Sequence, residues 1–157
     1  EELIRDGSKV KPGDIAFTVE GPSASILMAE RLVLNFMQRM SGIATQTRQL
    51  VDAIEGLPTR ILDTRKTTPL LREFEKKAVR LGGGFNHRFG LYDMILIKDN
   101  HVDFAGGIAN AITACHEYLE RKGLKLEIEI ETRNLDEVSQ VLSHGGVKRI
   151  MLDNFTY

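Results

Sequence analysis

The chain has 157 residues, 42% of them hydrophobic and 27% charged, with a formal net charge of -1. That length supports a domain with a real apolar core. The balanced charge excludes a global attraction to nucleic acid or membranes, so an anion site has to come from local clustering. Cys115 is the only cysteine, which rules out an intrachain disulfide and a cysteine-rich zinc site. Set among Ala111, Ile112 and Ala114, it reads as a buried structural thiol. No apolar run has the length of a membrane span, and nothing near the start has the pattern of a signal peptide. The expected setting is cytoplasmic. The opening Glu1-Glu2 and the stop at Tyr157, just past the apolar run Ile150-Met151-Leu152, predict a fragment of a longer protein.

In chain order, residues 1–24 hold the turn signals Gly7-Ser8 and Lys11-Pro12-Gly13-Asp14 around short β-like pieces such as Ile15 to Val19. Gly21-Pro22 ends that section, and Ser23 or Ser25 is a candidate cap for the next helix. From Ile26 to about Ile54, Leu27, Leu34, Met37, Ile43 and Leu50 fall near helical spacing. Ser41-Gly42 predicts two helices with a break there. Thereafter strands at about 60–64, 93–98, 125–131 and 148–153 alternate with helices at about 70–81, 105–121 and 134–143. This order predicts an α/β fold with right-handed βαβ units and a parallel sheet, either half of a β/α barrel or part of an open sheet.

Chemistry concentrates where the strands end. Asp63-Thr64-Arg65-Lys66, Lys98-Asp99-Asn100, Glu131-Thr132-Arg133 and Asp153-Asn154 each follow a strand. Any one of them alone reads as solvated loop, but parallel strands bring their carboxyl ends together. Mixed cations and carboxylates suit a phosphorylated sugar, whose phosphates need Lys or Arg and whose hydroxyls need acceptors. Glu127, Glu129 and Glu131 share one strand face by the period of two, with Lys98, Lys66 and Arg65 as candidate partners. Gly82-Gly83-Gly84 has no nucleotide-binding pattern and reads as a flexible turn able to present His87 and Arg88. His101 and His144 lack partners at metal-ligand spacing and read as structural. Arg31, on a helix beside Glu30, reads as a solvated face.

Several motifs in sequence order carry a family resemblance. They are Glu30-Arg31-Leu32-Val33-Leu34-Asn35, Ser41-Gly42-Ile43-Ala44-Thr45 and Asp63 through Pro69. Gly82-Gly83-Gly84, Asn86-His87-Arg88, Lys98-Asp99-Asn100-His101 and Leu152-Asp153-Asn154 complete the set. From about residue 10 to 157 the chain closely resembles the quinolinate phosphoribosyltransferases of NAD biosynthesis, the decarboxylating pentosyltransferases that make nicotinate mononucleotide. The resemblance implies an N-terminal α/β sandwich followed by an incomplete β/α barrel, in a homodimer or larger assembly. Residues 1–56 would be the end of the sandwich with connecting helices, and 57–157 the first half of the barrel. The later strands, with the family's glycine-rich phosphate loop, would lie outside this sequence.

Carried over position by position, the resemblance implies that Arg65, His87 and Arg88 hold the two carboxylates of quinolinate. Lys98 would lie between the acid and phosphoribosyl diphosphate, and Lys66 on the diphosphate side. Glu131 and Asp153 would hold the ribose hydroxyls, directly or through Mg²⁺, with no direct protein metal site. Arg31 would enter the neighbouring subunit's site. Leu70 stands where the family generally has glycine after Thr67-Thr68-Pro69, and a side chain there restricts the backbone. The alternatives are a related phosphoribosyltransferase-like enzyme with another substrate, a Schiff-base aldolase using Lys98, and an inactive piece.

Overall fold

The computed structural model describes residues 1–156. The chain divides into two compact units, Glu1–His87 and Arg88–Tyr157.

The first unit begins irregularly. Glu2 and Phe17 form an isolated antiparallel bridge, and the amides of Leu3 and Ile4 both donate to the Ala16 carbonyl. Helix α1 (Ser23–Ala53) then runs 31 residues without interruption, about 46 Å at 1.5 Å per residue. The break expected at Ser41-Gly42 does not occur. Helix α2 (Arg72–Leu81) packs along that part of α1 and overrides the weak local propensity of glycine. Phe36 and Phe74 stack with centroids 4.7 Å apart, and Arg39 pairs with Glu75. Neither Ser23 nor Ser25 caps α1; the helix starts behind Pro22 with no side-chain cap, proline's fixed φ supplying the entry geometry.

The crossing of α1 and α2 explains the triple glycine. A Cβ on Gly82 would lie 2.4 Å from the Ala44 carbonyl oxygen and 2.7 Å from the Thr47 Cβ. One on Gly84 would lie 2.8 Å from Val79 Cγ1 and 2.9 Å from Thr47 Cγ2. These glycines let two backbones meet, so the expected flexible turn is a packed one. The strand expected at 60–64 is reduced to a parallel bridge between Leu62 and Phe85. That bridge sets Asp63 beside Asn86 and His87.

The second unit holds a parallel sheet. Among the described residues its strands are β1 (Ile95–Ile97), β2 (Ile128–Thr132) and β3 (Arg149–Leu152), in the order β1-β2-β3. Helices α3 (Asp99–Ala105), α4 (Ile108–Lys122) and α5 (Leu135–His144) connect them. The helix expected at about 105–121 is α4, starting a few residues later, and α3 is an additional short helix in the stretch from Asp99, where loop was expected. Gly106 (φ 79°) and Gly107 (φ 126°) separate the two helices, backbone conformations that strongly favour glycine. Asn134 caps α5 by accepting from the Glu137 amide at 2.9 Å.

The core of this unit lies between the helices and one sheet face, and its buried members include Ile97, Val102, Ile112, Ile128, Ile130 and Val141. Cys115 packs against it, and burial pushes its thiol pKa up, as an inert structural cysteine requires. His101 accepts the Lys98 amide on Nδ1 at 3.0 Å, and His144 lies 3.3 Å from the Thr113 hydroxyl. Both have local hydrogen-bonding roles.

Candidate functional site

Parallel pairing places the carboxyl ends of β1, β2 and β3 at one edge of the second unit. Ile97 pairs with Ile130, and Thr132 with Leu152. Lys98 therefore emerges beside Glu131, and Asp153 follows directly in the neighbouring strand. Lys98 Nζ donates to Glu131 Oε1 at 2.9 Å. The Asp153 amide donates to the Thr132 carbonyl at 3.0 Å, and its carboxylate is exposed. Lys98, Glu131 and Asp153 thus form an arrangement able to take both anionic and hydroxylic groups.

The three glutamates meet different fates. Glu129 is fully buried and accepts from Arg149 at 2.6 Å, while Glu127 faces the exposed Lys148 at 3.9 Å. The cations expected as partners supplied one of the three, Lys98 for Glu131. Sequence could not pick out Arg149 and Lys148, because the β2–β3 register that brings them close is set by pairing across the sheet. Arg133, another strand-end cation, turns away to Glu137 and Asp103, and these bonds raise its pKa, the Glu137 bond foremost. Burial raises the Glu137 carboxyl, but hydrogen bonds from Arg133 outweigh it and hold the group below the usual range. These residues line a cavity of about 390 Å³, which neither Lys98, Glu131 nor Asp153 borders. Arg88 donates to the Met94 carbonyl at 3.4 Å.

In the first unit the segment after Leu62 carries Arg65 and Lys66. Lys66 is exposed, and its amide donates to Thr64 Oγ1 at 3.0 Å. Among the described residues the Arg65 Nε is buried and finds no hydrogen-bond acceptor. A buried guanidinium N–H without an acceptor is costly and calls for one, a role that a carboxylate of a ligand can fill. His87 lies in the same unit, held through its backbone. Its amide donates to Asp63 Oδ1 at 2.8 Å.

The side chains that hold this segment come from α2 and, through Arg39 donating to Thr68 Oγ1, from α1, and were not singled out by sequence reasoning. Arg72 donates to Thr67 Oγ1 at 3.2 Å and to the Arg65 carbonyl at 3.3 Å. Glu75 accepts from the Thr68 amide at 3.1 Å and from Arg39 Nε at 2.9 Å. Burial raises the Glu75 carboxyl, but the bonds from Arg39 and Thr68 prevail and hold it below the usual carboxylate range. It therefore stays ionised through neutral pH. Leu70, in the same segment, has φ 65°, the left-handed conformation that glycine takes without penalty.

Arg31 is exposed on α1. Around it the first half of the helix presents Leu27, Met28 and Leu32 at 70%, 85% and 63% exposure. No helix among the described residues is long and apolar enough to cross a membrane, and no group of three or more His, Cys, Asp or Glu among them could hold a metal ion.

Comparison with known proteins agrees with this layout. Residues 1–41 match the N-terminal domain of quinolinate phosphoribosyl transferase, and residues 43–157 match its C-terminal domain. The chain is 50% identical over 159 residues to a chloroplastic nicotinate-nucleotide pyrophosphorylase (carboxylating) of Arabidopsis thaliana, covering 98% of this chain and 45% of that one. It is 45% identical to a probable nicotinate-nucleotide pyrophosphorylase of Bacillus subtilis, covering 96% and 50%. A solved nicotinate-nucleotide pyrophosphorylase from Francisella tularensis superposes with a TM-score of 0.91 at 46% identity, covering 99% and 54%. The chain spans about half the length of the relatives it matches. Two adjoining domain matches that together take in nearly every residue, and a sheet whose strand ends carry Lys98, Glu131 and Asp153, leave one conclusion: the chain belongs to the quinolinate phosphoribosyltransferase family.

Proposed function

We propose that the protein carrying this chain transfers the phosphoribosyl group of phosphoribosyl diphosphate to quinolinate, releasing CO₂ and diphosphate and giving nicotinate mononucleotide. The observation that carries this reading is the buried Arg65 Nε, which finds no acceptor among the described residues. Its donor needs an acceptor, and a carboxylate of a pyridine dicarboxylate suits a guanidinium N–H. Arg65, His87 and Arg88 take the two carboxylates. Lys66 takes the diphosphate side, and Lys98 stands between the two substrates. Glu131 and Asp153 take the ribose hydroxyls.

In the reaction the pyridine nitrogen attacks the anomeric carbon as the bond to diphosphate breaks, and positive charge develops on the ribose ring. In this reading Glu131 and Asp153 stabilise that charge, and the lysines stabilise the departing anion. The electron pair left when the adjacent carboxylate departs as CO₂ stays on the ring carbon, stabilised by the positive charge of the neighbouring ring nitrogen, and that carbon then takes up a proton. The protein positions and balances charge; no covalent nucleophile is needed.

Mg²⁺ fits as an ion carried by the substrate. Such ions use one or two carboxylates plus phosphate oxygens, and Glu131 and Asp153 are a pair of that kind at neighbouring strand ends. Bound there it would neutralise phosphate charge. The working assembly is a homodimer or larger, in which Arg31 enters the neighbour's site; the exposed apolar run beside Arg31 supports this. A cytoplasmic setting completes the proposal; the Arabidopsis relative is chloroplastic.

The test is to mix the natural chain with quinolinate, phosphoribosyl diphosphate and Mg²⁺ and to follow CO₂ and nicotinate mononucleotide together. Equal amounts of both are expected. Turnover of another pyridine acid with quinolinate left untouched would favour the related-enzyme reading.

A further inference from the structure

Helix α2 holds the substrate segment through one face. Residues 72, 75 and 76 stand three and four apart and therefore point the same way. The innermost is Lys76, which is 3% exposed. Its Nζ donates to Asp63 Oδ1 at 2.5 Å and to the His87 carbonyl at 3.1 Å. Asp63 in turn accepts the His87 amide on Oδ1 at 2.8 Å and the Asn86 side-chain amide on Oδ2 at 2.5 Å. Asn86 Nδ2 also donates to the Lys76 carbonyl at 2.9 Å. One buried ion pair thus grips both the N–H and the C=O of His87, while Asp63 itself lies two residues before Arg65.

We propose that the buried Lys76–Asp63 pair, with Asn86, is a positioning device that fixes His87 and the Arg65 segment relative to each other so that both reach one dicarboxylate ligand. The inference rests on the function proposed above and deepens it. Three physical points carry it. A buried ion pair is a weak source of net stability, since well-packed apolar residues can often replace it without loss. Here the remaining hydrogen-bonding capacity of the pair goes to Asn86 and His87, not to general scaffolding. And a bidentate dicarboxylate site tolerates little error, because displacement of a binding group by about 1 Å costs up to a hundredfold in rate. Lys76, Asp63 and Asn86 touch no substrate in this scheme; they act through His87 and Arg65.

The test uses the natural chain and follows CO₂ release while each substrate is varied. The double variant Asp63→Asn/Lys76→Met removes both charges together, so no unpaired charge is left buried. It is expected to raise KM for quinolinate roughly tenfold or more, with KM for phosphoribosyl diphosphate within about threefold of wild type. Lys76→Arg, which keeps charge and donors, is expected to retain most of the quinolinate affinity. Asn86→Ala changes an exposed side chain and covers the case of a misfolded double variant. It is expected to raise KM for quinolinate at least about threefold, again selectively. Equal changes in both KM values, or none, in a folded variant would overturn the positioning role while leaving the proposed function standing. A wild-type chain that ignores quinolinate would overturn the function and the inference together.

Discussion

At the scale of single residues, side chains at the strand ends were legible, and their supports were not. Lys98, Glu131 and Asp153 could be located because strand period and chain order place them at one sheet edge. Lys76 could not, because a lysine on a charged helix reads as solvated until tertiary packing reveals it as 3% exposed. Leu70 is the reverse case, a departure visible in sequence whose meaning the backbone supplies. It adopts φ 65° while its side chain is 98% exposed. A left-handed conformation costs a non-glycine residue about 1–2 kcal/mol, and glycine's extra unfolded-state entropy returns about 0.5–1 kcal/mol of that. With no packing to lose, Leu70→Gly is expected to stabilise the protein by about 0.5–1 kcal/mol, a rise in Tm of about 1–4 °C. A thermal melt that moves downward would show that Leu70 makes a contribution the exposed side chain does not reveal.

Among elements, the sequence conveyed alternation and missed interruptions. The order of β1, α4, β2, α5 and β3 follows from periodicity, because each element buries one face against its neighbours. Two boundaries were misread for opposite reasons. Ser41-Gly42 looks like a break, yet α2 clamps α1 on both sides of it, through Phe36–Phe74 and through the Gly82 crossing. Gly106-Gly107 is a true break, because both residues take positive φ and a right-handed helix cannot continue through them. The crossing at Gly82 is the tightest of these joints. A methyl group there meets a backbone oxygen at 2.4 Å, and backbone cannot swing aside as a long side chain can. Gly82→Ala is accordingly expected to separate α1 from α2 and destabilise by about 2–3 kcal/mol, at the upper end for overpacking. Gly42→Ala is the control, since nothing lies within 4 Å of its would-be Cβ. Chemical denaturation of the two variants checks the difference, and equal stability would remove the close-crossing explanation.

For the whole molecule, the decisive residue is one that single-chain reasoning reads as ordinary surface. Arg31 lies on an exposed helix among exposed apolar side chains, and only family resemblance gives it a role, in a neighbour's site. That proposed exchange can be separated from a role within its own subunit by mixing two inactive variants. Arg31→Ala keeps its own Lys98 and cannot serve its neighbour; Lys98→Ala can donate Arg31 but has a dead site of its own. Each homodimer is then expected to be inactive. After dissociation and reassociation in equal amounts, half of the dimers are mixed, and in each of these one site has both groups. Activity should return to about a quarter of wild type, the value that two-fold symmetry dictates for residues shared across an interface. If Arg31 served its own subunit, every chain in the mixture would still carry one lesion in its own site, and no activity would return. The argument needs two copies because the site it tests is proposed to need them.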